Sequence, residues 1–282
     1  MITMTRRVMF SAVHSAWLPH LTTAQNIEVF GPMASPDPCG HNYILDVSVT
    51  GQVSAITGIV VNIKEIDRIV KQRIVQTLDR KWINRQIPAF CERPVTAETL
   101  AQHIAAELIP ALPEEAPLTG VRLEQAPFNY VEWNRNDTTR TEQGLMRLTH
   151  SYEFSASHRL NSKHLSEEEN SELFGKCNYV NGHGHNYILE VTVSGPVNER
   201  SGRVMDGDQL DAIVHREIID RYDHHHFNYD IPEFSDVIPS SEVVTKVIWE
   251  RLRCHIAAPA RLFRVVLRET ARNTFEYLGE EY

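Results

Sequence analysis

The chain contains the same strand twice. Gly40 to Gly51 reads GHNYILDVSVTG and Gly184 to Gly195 reads GHNYILEVTVSG, identical at nine of twelve positions at an offset of 144. The same offset pairs Phe10, Ser11 and Ala12 with Phe154, Ser155 and Ala156, His14 with His158, Phe30 and Gly31 with Phe174 and Gly175, and Glu98 with Glu242. Colinear identity of this kind is the mark of a tandem duplication. The 282 residues are therefore expected to form two domains, 1–133 and 145–282, each long enough to bury a core. The stretch from Asn134 to Gly144, NRNDTTRTEQG, offers little to bury and reads as an exposed linker.

Composition narrows the function. A net charge of -9 argues against nonspecific nucleic-acid binding, which needs clustered Lys and Arg against phosphates, but leaves room for a small anion in a locally basic pocket. No apolar run approaches the roughly 20 residues of a membrane helix. The apolar stretch after Arg6 and Arg7 is interrupted by His14, so a signal peptide is not expected. Cys39, Cys91, Cys177 and Cys254 are too few and scattered to staple a domain of this size, which points to a reducing, cytoplasmic setting.

Within the second copy, Tyr187, Leu189, Val191 and Val193 alternate with Ile188, Glu190, Thr192 and Ser194, the period-two pattern of a half-buried strand. Leu148 to Leu160 reads as its antiparallel partner. Apolar residues at helical spacing mark helices over Asp208 to Tyr222 and, after an N-cap at Ser240, over Glu242 to Ile256. Phe263 to Glu269 reads as a further strand. Two strands, two helices and a final strand pair describe an α+β unit, an antiparallel sheet with two helices on one face.

His183 and His185 stand two apart on a strand, so their side chains leave the same face. Phe154, Ala156 and His158 share a face of the partner strand, from which a third imidazole can join them. Three imidazoles with a fourth position left open are the donor set of a catalytic zinc, whereas a lone strand histidine is usually just a polar residue with one hydrogen bond. Cys177 lies six residues before His183, after a capping box at Ser166 and Glu169 and a helix-ending Gly175. It is either a buried, inert thiol or a nucleophile or base whose pKa a nearby cation lowers. Asp223 and His224 form an acid-supported imidazole able to hold the Cys177 proton; the run His224, His225, His226 also suits a solvated loop or a metal-binding tract. Glu269 emerges on the apolar side of its strand, where a charge needs partners, with Arg268 or Arg272 the ordinary candidates.

The segments FSASHRL at Phe154, CNYVNGHGHNY at Cys177, YDHHHFN at Tyr222 and LRET at Leu267 resemble the 6-pyruvoyl-tetrahydropterin synthase family, which includes the 6-carboxytetrahydropterin synthases of queuosine biosynthesis. The resemblance covers the whole second half. It implies Zn2+ on His158, His183 and His185, proton transfer by Cys177, Asp223 and His224, and a pterin ring anchored by Glu269 beside Ser240 and Ser241. It further implies a lyase that eliminates triphosphate from 7,8-dihydroneopterin triphosphate. It also implies tunnelling-fold units that join edge to edge into a homo-oligomer with active sites between subunits, so that three tandem chains, or a multiple of three, would replace six single units. The five residues between Cys177 and His183 match the pyruvoyl-forming enzymes, while the duplication suggests the queuosine branch.

The first copy departs from that pattern. It keeps His14 and His41 but has Cys39 at the position of His183, Met33 opposite Cys177 and Arg80 opposite His224, while Asp79 remains. Two imidazoles and a thiolate still bind zinc, but the proton relay is gone. Glu124, at an offset of 145 from Glu269, would preserve the anchor or contribute to a shared site. The first half is thus expected to be structural. Two other readings stand beside the lyase: a noncatalytic zinc- or pterin-binding scaffold, and a hydrolase using Cys177, His224 and Asp223.

Overall fold

A computed structural model of the chain describes residues 1–126, 128–135 and 145–280. Its backbone divides into two compact units, Met1–Leu148 with Ser194–Val204, and Thr149–Val193 with Met205–Tyr282.

In the first unit, β1 (Ile2–His14) and β2 (Cys39–Gly51) pair antiparallel from Ile2 opposite Gly51 to His14 opposite Cys39. β3 (Leu118–Ala126) continues the sheet on β2, and β4 (Asn129–Asn134) pairs with β3. The period-two pattern of β2 sends Tyr43, Leu45, Val47 and Val49 into the core. A short helix α1 (Thr23–Phe30), closed by a capping box at Thr22, lies between β1 and β2. On the buried face, α2 (Ile63–Val70, continued by a π turn at Lys71–Val75 and by Gln76–Leu78) packs on β1, and α3 (Ala97–Leu108) packs on β3 and β4.

The second unit repeats this plan. β5 (Met146–His158), β6 (His183–Gly195), β8 (Arg261–Arg268) and β9 (Thr274–Tyr277) are neighbours in that order, and the two-residue β7 (His225–His226) pairs parallel with β5. Between β5 and β6 lies α4 (Glu167–Phe174), whose capping box at Ser166 and Glu169 and C-cap at Gly175, with φ of 50°, match the sequence signature. Next come α5 (Gly207–Val214, a π turn at His215–Ile219, then Asp220–Tyr222) and α6 (Ser241–Arg253) with Ser240 as N-cap. Each unit is an α+β tunnelling-fold module. Among the described residues no helix is long and apolar enough to cross a membrane.

Three expectations are corrected. β6 alternates only at its start: from Leu189 onward both faces are buried, with Glu190 at 7% and Thr192 at 0% exposure. Buried polar side chains survive there because they are partnered, Glu190 by the Arg268 guanidinium and Thr192 by the Thr149 hydroxyl at 2.9 Å. α6 ends at Arg253, with Cys254 as its cap, rather than at Ile256. β8 ends at Arg268, so Glu269 opens the following turn, its N–H donating to the Asn273 carbonyl at 3.1 Å. Of the proposed linker, only Asn134 and Arg135 fall within the described residues.

Candidate active site and metal centre

The three histidines of the second repeat converge because of strand phase. Phe154, Ala156 and His158 are buried on one face of β5, and His183 and His185 are in phase with the buried Tyr187 on neighbouring β6. Gly182, at φ of 66°, leads into β6 so close to β5 that an added Cβ would lie 2.5 Å from the His158 carbonyl oxygen. Only glycine accepts both that conformation and that approach. Ring centroids are 4.7 Å apart for His158 with His183, 5.2 Å for His158 with His185 and 4.7 Å for His183 with His185, and one ring nitrogen from each lies within 4.8 Å of the others.

His158 donates its Nδ1 proton to the Pro239 carbonyl at 2.7 Å, which leaves Nε2 unprotonated and facing the cluster. An outer hydrogen bond of this kind fixes a metal-binding imidazole in its ligating tautomer. His158 Nε2, His183 Nδ1 and His185 Nε2 are buried without any hydrogen-bond partner. Burial pushes the pKa of His158 and of His185 down, which favours the neutral form that metals bind. Buried polar atoms are normally satisfied, and a metal ion would satisfy all three at once.

Glu269 sits beside this cluster. Its Oε1 is 3.8 Å from His158 Nε2 and 3.7 Å from His185 Nε2. Neutral donors hold it rather than arginine: the Ser241 hydroxyl donates to Oε1 at 2.6 Å and the Asn273 amide to Oε2 at 2.9 Å. Although burial opposes ionisation, these donors and the two histidines keep the carboxyl below its ordinary value. Arg268 is engaged with Glu190. The two serines divide their work, Ser240 capping α6 and Ser241 holding Glu269.

Cys177 lies in the short helical turn Gly175–Asn178 and its carbonyl accepts from the Leu160 N–H at 2.8 Å. Burial, and then the negative Glu269, push its thiol pKa up, so thiolate formation there calls for an added positive charge.

Asp223 and His224 follow the π turn of α5. Asp223 Oδ1 accepts from the Ser155 N–H at 2.8 Å, Oδ2 is 2.8 Å from His224 Nδ1, and the His224 N–H donates to the Ser155 carbonyl at 2.6 Å. These bonds hold His224 at a positive φ of 61°, a conformation costly for a non-glycine residue and tolerated where neighbours enforce it. The hydrogen bond donated by the Ser155 N–H, followed by the His224 side chain and N–H, holds the Asp223 carboxyl below its usual range against the effect of burial. The His224 side chain is 82% exposed, and no hydrogen bond or ion pair joins it or Asp223 to Cys177 within the chain. The three relay candidates are thus not assembled by hydrogen bonding inside one unit. His225 and His226 form β7, and the His226 ring packs against Tyr229 at a centroid distance of 4.3 Å, tilted by 31°.

The first unit builds the same frame with other residues. Asp79 Oδ1 accepts from the Ser11 N–H at 2.9 Å, and Arg80 stands at φ of 58° where His224 stands in the second. Met33 is exposed. Glu124 does not occupy the position of Glu269. Its neighbour Leu123 pairs with Leu45 on the buried face, so Glu124 points to the opposite face, where it accepts from Arg122 at 3.3 Å. Gln125 stands at the repeat offset of 144 from Glu269, where the β3–β4 register shifts between Glu124 and Ala126. A one-residue change of offset moves a strand side chain across the sheet.

Sequence patterns do not single out Pro239, Asn273 or Gly182. Pro239 acts through a carbonyl that every residue possesses. Asn273 follows Glu269 by four positions, and that spacing in a turn is the one signal that could have marked it.

The family model described as 6-pyruvoyl tetrahydropterin synthase matches residues 3–136 and again 147–280. The 6-pyruvoyl tetrahydrobiopterin synthase of Homo sapiens is 44% identical over 127 residues, which span 45% of this chain and 87% of that protein. Its counterpart from Drosophila melanogaster is 38% identical over 139 residues, 49% of this chain and 83% of that protein. The solved structure of Caenorhabditis elegans 6-pyruvoyl tetrahydropterin synthase is 37% identical and covers 49% of this chain and 98% of its own, with a TM-score of 0.47.

Proposed function

Matched across both of its repeats, the chain belongs to the 6-pyruvoyl tetrahydropterin synthase family, and we propose that its second repeat is a zinc-dependent lyase that eliminates triphosphate from 7,8-dihydroneopterin triphosphate. The observation that carries this reading is the set of three unpaired, buried ring nitrogens on His158, His183 and His185, with Glu269 beside them. Those three imidazoles would hold zinc, which as a Lewis acid supplies polarisation of the substrate's side-chain oxygens.

The remaining work belongs to the chain's own side chains. Glu269, ionised and oriented by Ser241 and Asn273, accepts hydrogen bonds from the pterin amino and ring N–H groups, a bidentate match for a planar donor pair. Cys177 removes or returns a proton on the substrate side chain, its thiolate favoured by the cationic site against burial and Glu269. Asp223 keeps the Nδ1 proton on His224 and leaves Nε2 free to accept a proton. Because no hydrogen bond joins His224 to Cys177 in its own chain, we assign the pair to a site completed with a neighbouring subunit. That assignment also weighs against a Cys-His-Asp hydrolase within one chain.

The relatives at 44% and 38% identity bear the pyruvoyl name, and the spacing from Cys177 to His183 agrees, so the 6-pyruvoyl product is favoured over the 6-carboxy one. The test is incubation with dihydroneopterin triphosphate and identification of the product by mass. A 6-pyruvoyl tetrahydropterin supports the reading and a 6-carboxy product moves the chain to the queuosine branch. Stoichiometric zinc without turnover favours a noncatalytic scaffold.

A further inference from the structure

We propose that the first repeat binds its own metal ion through His14, Cys39 and His41, a thiolate and two imidazoles that serve structure rather than catalysis. The strand register creates the cluster. His14 lies directly opposite Cys39 and Ala12 opposite His41 in the β1–β2 ladder, so the three side chains leave the same face at the end of the hairpin. One donor atom from each lies within 4.8 Å of the others.

The separations leave room for an ion. Cys39 Sγ is 3.3 Å from His41 Nε2 and 3.8 Å from His14 Nε2. A tetrahedral zinc bound at about 2.3 Å to sulfur and about 2.0–2.1 Å to nitrogen places each sulfur–nitrogen edge at about 3.6 Å, between the two observed distances. Hydrogen bonding also reaches the cluster, since the Cys39 thiol can donate to the His14 carbonyl at 3.5 Å and an imidazole N–H can donate to its sulfur, so metal titration separates the two accounts. The site is also reachable, since Cys39 is exposed and His41 borders an open cleft of about 710 Å³.

The donor set selects a borderline to soft divalent ion of the zinc class over magnesium or calcium, which prefer oxygen. Replacing an imidazole by a thiolate adds negative charge to the centre and weakens its pull on a bound oxygen. Arg80 replaces the imidazole of His224, and Gln125 rather than a carboxylate stands at the repeat offset from Glu269. The ion would pin the ends of β1 and β2 where the ladder terminates, with no proton relay to use its charge.

The test uses the full chain, stripped of metal and titrated with cobalt(II). One ion is expected for each of the two clusters among the described residues, with a thiolate-to-cobalt charge-transfer band in the near ultraviolet that an all-histidine centre does not produce. Cys39→Ser should abolish the band and remove one equivalent. Cys177→Ser should leave the band unchanged. His183→Ala should remove the other equivalent and keep the band. Cys39→His, which restores the imidazole set, should retain both equivalents without the band, and it decides the matter if Cys39→Ser fails to fold. Absence of the band in the unaltered chain, a band that survives either Cys39 variant, or a band lost in Cys177→Ser overturns the proposal. The band reports Cys39 alone, so this outcome does not depend on whether the second repeat turns over a pterin.

Discussion

Asp223→Asn alters a proton position while sparing the backbone bond that holds the residue. Asp223 Oδ1 accepts from the Ser155 N–H and Oδ2 faces His224 Nδ1, each at 2.8 Å. An asparagine can keep its carbonyl on the Ser155 N–H, but its NH2 group then points at His224 Nδ1 as a donor. The imidazole must answer as an acceptor, its proton moves to Nε2, and the nitrogen offered to the relay carries a proton it was meant to receive. The carboxylate that would stabilise the imidazolium is lost as well. Loss of a positioned base costs about 10²–10⁴ in kcat, or about 2.7–5.4 kcal/mol at the barrier. The assay is triphosphate release under saturating dihydroneopterin triphosphate, with thermal melting on the same samples. Asp223→Asn should fall by that factor at a wild-type Tm, whereas Asp223→Ala should lose both activity and Tm because the Ser155 N–H is left without its acceptor. The internal control is Asp79→Asn, where the same backbone bond exists but Arg80 replaces the imidazole, and kcat should not move. A wild-type kcat for Asp223→Asn, or an equal fall for Asp79→Asn, would refute the relay.

Cys177→Ala should retain the metal of the His158, His183 and His185 cluster yet lose turnover, since the thiol is assigned to proton transfer; near-normal kcat removes it from the mechanism. Asn170 is 2% exposed, accepts from the Ser162 N–H at 2.7 Å and donates to the carbonyls of Ser162, Leu165 and Ser166. Asn170→Ala should therefore cost about 2–3 kcal/mol by leaving buried backbone groups unpaired, read by urea denaturation, and an unchanged midpoint would count against that account. Glu98 is 4% exposed and burial pushes its carboxyl pKa up, against the opposing hydrogen bond from the Val204 N–H. A raised pKa means the folded state holds the proton more tightly than the unfolded state. The associated stability is full below the ordinary carboxylate pKa and is lost as pH rises through the raised value. Glu98→Gln should remove that decline of denaturation midpoints with rising pH, and an unaltered slope would assign the decline to other groups.

Much of the fold is legible in local pattern. The duplication, the strand carrying His183 and His185, the capping box at Ser166 and Glu169, and the N-cap at Ser240 are all features of neighbouring residues, and neighbouring residues share a helix turn or a strand face by backbone geometry alone. The phase of His158 with Phe154 and Ala156 anticipates the face on which the three imidazoles meet. Where the reading of Glu124 went astray, the error was a single residue of offset, and in a strand that is the whole distance from one face to the other.

Other features depend on residues far apart in the chain. That Glu269 is met by Ser241 and Asn273 while Arg268 turns to Glu190 depends on how α6, β6 and the turn after β8 pack together. The carbonyl of Pro239 that sets the tautomer of His158 carries no mark in the sequence. His224 and Cys177 look like partners by residue type, but within one unit His224 is held by the Ser155 backbone and no hydrogen bond joins it to the thiol. The repeat, the elements and the face on which each strand histidine lies are readable from local order, because they follow from the periods of helix and strand. Which donors and carbonyls reach those histidines and Glu269 emerges only in the packed fold, because hydrogen bonds between distant segments are set by packing, and packing depends on the whole chain at once.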